Sequence, residues 1–81
     1  MKKRVLQCVE TGLFFKKGGG WGSELPKLEF VKKPEKSAKY AFSADDDEAL
    51  KFVSENAKQI GLTLVIKTIE IKTVVNVTFI D

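Results

Sequence analysis

Leu62 to Asp81 reads LTLVIKTIEIKTVVNVTFID, a stretch with no Gly and no Pro and a high density of Val, Ile and Thr. Branched side chains of this kind suit a pleated, half-buried surface, so the stretch predicts strand. Odd positions place Val65, Ile69, Ile71, Val75, Val77 and Phe79 on one face, interrupted by Lys67 and Thr73, while even positions turn polar from Thr68 to Lys72. As one strand it would run about 65 Å, more than twice the breadth of a compact domain of this size. Two solutions fit. A turn near Glu70 to Thr73 makes a hairpin, although the usual Asn-Gly or Asp-Gly chemistry is missing there. Alternatively, a long strand leaves its own domain and pairs with a second copy.

Upstream lies an amphipathic helix. Ser43 is placed to accept from a backbone N–H at Asp45 or Asp46, and the acidic run Asp45-Asp46-Asp47-Glu48 sits at the positive end of the helix dipole. Ala49, Leu50, Val53, Ala57 and Ile60 form one apolar stripe with Phe52 beside it, and Gly61 supplies the left-handed residue that ends such helices. Glu55 is spaced to pair with Lys51 or Lys58.

The first half reads as short strands. Residues 4 to 10 alternate with apolar side chains on both parities, and Thr11-Gly12 turns the chain into Leu13, Phe14 and Phe15. The Gly-rich segment 18–26 is expected to be a flexible loop. Leu28 and Phe30 mark a third strand ended by Lys32-Lys33-Pro34, and Ala38, Tyr40 and Phe42 mark a fourth. The expected fold is therefore a single α+β domain over residues 1–81, with a mainly antiparallel sheet of four to six strands and one helix on one face. Its order is β-β-β-β-α-β, with a further strand if the last stretch is a hairpin.

With 81 residues, the chain buries about 60 to 65% of the surface its unfolded form exposes. The 43% apolar and 31% charged composition is that of a globular domain, and no apolar run is long enough to span a bilayer as a helix. Gln7, Glu10 and Lys16 interrupt what a signal peptide would need as its apolar core, so a cytoplasmic protein is expected. Cys8, the single cysteine, fits a reducing compartment.

Charge is polarised along the chain: ten Lys or Arg against four Glu over residues 1–42 (+6), then four Lys against seven Asp or Glu over residues 43–81 (−3). Such a dipole orients a molecule on an acidic partner or sets basic and acidic faces of two copies together. Lys16 and Lys17 beside the glycines, with Trp21, suggest phosphate or base recognition, but neither the Walker A pattern nor GxGxxG is present. Together with Lys32, Lys33 and Tyr40 they are the candidate contact residues for a protein partner or for single-stranded nucleic acid. The acidic run lacks the spaced ligands of a calcium loop, so no metal or other cofactor is expected. Histidine is absent, which removes the commonest general base and the His-paired nucleophiles; no enzyme activity is expected.

From Lys39 to Leu64, KYAFSADDDEALKFVSENAKQIGLTL resembles a pattern in small uncharacterised proteins encoded by bacteriophages and prophages of Gram-positive bacteria. There a strand runs into a Ser/Thr-Asp cap, then Glu-Ala-x-x-Phe, a helix and a strand. Ser43, Asp45, Asp47, Glu48, Ala49 and Phe52 carry the match over about a third of the chain. The resemblance implies an accessory protein in the host cytoplasm that binds something larger, and it brings no active site. The resulting expectation is a non-enzymatic module that binds a host or phage protein, with self-association through the C-terminal strands. Sequence-tolerant binding of single-stranded nucleic acid by the basic, aromatic half is the alternative.

Overall fold

The computed structural model describes residues 1–18 and 27–80. Strands β1 (Lys2–Cys8), β2 (Phe14–Gly18), β3 (Leu28–Val31), β4 (Leu64–Ile71) and β5 (Val77–Ile80) form one antiparallel sheet in the order β3-β2-β1-β4-β5. A single α-helix, α1 (Ala44–Gln59), joins β3 to β4 and packs on one face. The α+β architecture expected from the sequence is the one observed.

β1 is central. It pairs with β4 along its whole length, from Lys2↔Glu70 to Cys8↔Leu64, and both parities are buried, with Val5, Leu6 and Cys8 all 0% exposed. Leu6 faces α1, where it joins Phe15, Leu50 and Val53, with Leu28, Phe30, Ala38, Tyr40 and Leu64 packed around them. The helix forms locally as its sequence dictates. The Ser43 hydroxyl accepts from the Asp46 N–H at 3.2 Å, satisfying one of the unpaired first-turn donors. At the other end Gly61 has φ 81°, the Leu62 N–H donates to the Ala57 carbonyl and the Gly61 N–H to that of Lys58, a Schellman closure.

The opposite face has its own small core of Val5, Phe14 and Ile69, with Val31, Ile71 and Val77 against it. Here the Phe14 and Phe79 rings stack with centroids 5.7 Å apart. Since β1 and β4 lie between their strands, a flat sheet would hold the two backbones about 14 Å apart. Contact therefore requires a strongly coiled sheet whose outer strands converge over Val5 and Ile69. Coiling explains why both residues are fully buried although α1 lies on the other side.

Of the two solutions for the last stretch, the hairpin is the one observed, β4 and β5 pairing from Ile71↔Val77 to Thr68↔Ile80; Lys72 and Asn76 close it, aided by the Thr73 hydroxyl, which does the work of the missing Asn-Gly. Other expectations are corrected. Ala38 to Phe42 is no strand. Only Tyr40 bridges to Arg4, because Ala38 already bonds to Phe15 and the chain must turn into the cap at Ser43; Phe42 is left 61% exposed. Gly18, expected in the loop, ends β2: it has φ 127°, and a Cβ there would lie 1.9 Å from the Lys27 carbonyl oxygen. The rest of that expected loop, residues 19–26, lies outside the described residues. Glu55 forms no ion pair among the described residues.

Candidate functional site

Among the described residues, the sequence-derived contact residues lie apart from one another. Lys16 sits exposed at a register shift in β2, and Lys17 is paired with Glu29 at 3.3 Å. Lys32 and Lys33 follow β3 at the other end of the same ladder, about 13 Å away along the strands. Tyr40 packs its side chain against the helix-side core, where burial first and the Asp46 charge second push its phenol pKa up. Trp21 lies outside the described residues.

Arg4, counted with the basic residues, turns out to be structural. Its guanidinium bonds Asp47 at 2.5 Å and the Ala41 carbonyl, and it lies 4.9 Å from the centroid of the Phe42 ring. Asp46 accepts from the Ala41 N–H. Asp47 thus fastens the start of α1 to β1 through Arg4, and Asp46 holds Ala41 within the strand-to-helix junction. Among the described residues no group of three or more Cys, Asp or Glu is arranged to hold a metal ion. Glu10 has a comparable tethering role. Its carboxylate accepts from the Thr63 N–H at 2.8 Å, and that bond holds its pKa below the usual value. Cys8, beneath it, is fully buried.

What the fold does assemble lies on the face away from α1. Gln7, Lys67 and Phe79, which share that face, line an open groove of about 270 Å³ together with Ile80 at the end of β5. Phe79 is held from below by its stack on Phe14 yet remains 50% exposed, and Lys67, also exposed, enters no ion pair among the described residues. Gln7 is fixed by the hydrogen bond that its side-chain amide N–H donates to the Gly12 carbonyl at 3.0 Å. Chemically this is a supported aromatic surface with a cation and an amide at its rim. Val74 and Val75 at the hairpin turn, 86% and 77% exposed, extend the apolar surface along the same hairpin. Sequence reasoning passed over these residues because a strand pattern assigns faces without showing which face a helix covers. The shared odd parity of Lys67, Ile69 and Phe79 was the available signal.

No protein-family model matches the chain, and neither the curated proteins nor the solved structures contain a significant match to it. No helix among the described residues is long and apolar enough to cross a membrane.

Proposed function

We propose that this chain is a non-enzymatic binding module that engages a protein partner through the sheet face opposite α1, with Phe79 as its anchor. The observation that carries the reading is the Phe79 ring, half exposed and braced by Phe14, beside Lys67 and Gln7. An immobilised aromatic group with a polar rim is the usual anatomy of a protein contact, since little side-chain entropy remains to be lost on binding. Lys67 selects for a carboxylate next to the apolar group that covers the ring. The pattern over Lys39 to Leu64 adds a setting, that of a phage or prophage accessory protein acting on a host or phage protein in the host cytoplasm.

Single-stranded nucleic acid draws less support. Tyr40 is committed to the core, Lys17 to Glu29, and Arg4 to Asp47 and Ala41, which leaves no aligned run of free cations and stacking rings in this group among the described residues.

The test is affinity capture from a lysate of the organism that carries the gene, comparing wild type with Phe79→Ala and Lys67→Glu. Lys67→Glu is an exposed change that leaves both cores intact, so its effect is not a folding effect. Both variants should recover the specific partner at least about tenfold less well, in keeping with loss of an interface anchor. Equal recovery by all forms removes this site. An oligonucleotide that binds, with affinity falling steeply between about 50 and 200 mM salt, would replace the protein reading by the nucleic-acid one.

A further inference from the structure

The two edges of the sheet are built differently. Along β3, Lys27, Glu29, Lys32, Lys33 and Pro34 lie on or beside the strand, and Glu29 is paired with Lys17. Charges and Pro are the devices by which edge strands resist pairing with another chain. β5 has neither. Val77-Thr78-Phe79-Ile80 is uncharged, and four of the nine large apolar side chains exposed among the described residues, Val74, Val75, Phe79 and Ile80, lie on this strand or the turn before it.

The phase of the ladder fixes which backbone groups are open. The Ile71 N–H donates to the Met1 carbonyl at 2.8 Å, toward β1, whereas the Lys72 N–H donates to Asn76 at 3.0 Å across the hairpin. Ile71↔Val77 and, two residues on, Ile69↔Phe79 are therefore the non-hydrogen-bonded pairs of this antiparallel ladder. It follows that the N–H and C=O groups of Val77 and Phe79 point away from β4, out from the edge.

We propose that β5 pairs antiparallel with β5 of a second copy about a twofold axis at Thr78, joining the two five-stranded sheets into one. Val77 of one copy then exchanges N–H···O=C bonds with Phe79 of the other, and Thr78 faces Thr78. A second copy fits this edge because a twofold contact demands a self-complementary surface. An uncharged strand opposes no like charges when it meets itself, whereas β3 carries Glu29, already paired with Lys17, and is followed by Pro34. In this register Ile80 lies opposite Asn76 of the other copy, so the exposed turn with Val74 and Val75 runs on past it. Phe79 gains a same-face neighbour in Val77 of the other copy, and the apolar surface left open on each subunit is reduced. The pairing does not depend on the proposed partner; its consequence is to set two Phe79 grooves on one continuous face.

Thr78→Cys tests the register, because the two sulfurs would meet at the axis with Cα atoms about 4.5 Å apart, within disulfide range. Mild oxidation should give a covalent dimer on a non-reducing gel, while wild type, whose Cys8 is buried, gives none. Thr78→Lys tests the association itself. It places like charges opposite each other only in the dimer, and next to Glu70 in the monomer. Wild type should scatter light as a dimer, and Thr78→Lys, with unchanged circular dichroism, should associate at least about tenfold more weakly. Wild type monomeric throughout a concentration series, or Thr78→Lys dimerising as wild type does, would overturn the proposal. Because Thr78 lies on the α1 side, away from Lys67 and Phe79, capture of a partner by monomeric Thr78→Lys separates this outcome from failure of the groove.

Discussion

Replacing Arg4 with Met tests how the helix is attached to the sheet. The unbranched stem keeps its packing while the guanidinium, whose side chain is 12% exposed, is lost. Its bond to the Ala41 carbonyl is charge-assisted and partly buried, a class worth about 1.5 to 3 kcal/mol. The ion pair with Asp47 adds only about 0.2 to 1 kcal/mol, because Asp47 is 63% exposed and solvent screens it. The contact with the exposed Phe42 ring adds about 0.5 to 1 kcal/mol. Against these stands the Arg4 Nε, which is buried with no partner and whose removal relieves about 1 kcal/mol or more. The expected net loss is about 2 kcal/mol. Urea unfolding followed by circular dichroism should show it as a midpoint about 1 to 2 M lower with an unchanged slope. Asp47→Asn should cost less than about 1 kcal/mol and lose its effect in 1 M salt, where the screening length is about 3 Å. A loss under about 0.5 kcal/mol for Arg4→Met, or equal losses for both variants, would refute the assignment of Arg4 as the fastening group.

The two faces should respond differently to truncation. Leu50→Ala, in the fully enclosed helix-side core, should cost about 3 kcal/mol, and Phe79→Ala, which removes a half-exposed ring, about 1 to 2 kcal/mol by the same unfolding assay. Ser43→Ala should cost about 1 kcal/mol and Ser43→Asp almost nothing, since Asp caps equally well. Tyr40 makes stability sensitive to alkali. Its folded pKa lies above 10.0, so stability is fully present below that value and is lost as pH rises through the folded pKa, because the unfolded chain ionises first. Tyr40→Phe should remove that dependence, and phenolate absorbance of the folded protein should titrate later than that of a free tyrosine.

Legibility followed the range of the interaction. The cap at Ser43, the stop at Gly61 and the end of β3 before Pro34 are set by neighbouring residues and could be read from the sequence. The two-sided burial of β1 showed in its doubly apolar alternation. What escaped was long-range. Nothing near residue 4 announces that its side chain will span to Asp47, and nothing near Phe14 announces a stack with Phe79. Ala38 to Phe42 alternates like a strand, yet the competing bonds of Ala38, Tyr40 and Ala41 leave room for only one bridge. Nor does the sequence show that the pair Lys16-Lys17 and the pair Lys32-Lys33 lie toward opposite ends of one ladder, because that depends on the register of β2 against β3.

The place of β1 bears on the order in which this molecule can assemble. It is synthesised before the other four strands, yet its full-length neighbour is β4, paired with it across about sixty positions, and the core beneath Phe79 closes only with β5. Distant pairings of this kind slow folding, since chain entropy is surrendered before contacts repay it. Until Leu64 to Ile71 leaves the ribosome, the nascent chain carries an apolar strand with one bare flank. That interval is when it is most exposed to aggregation and most dependent on a chaperone.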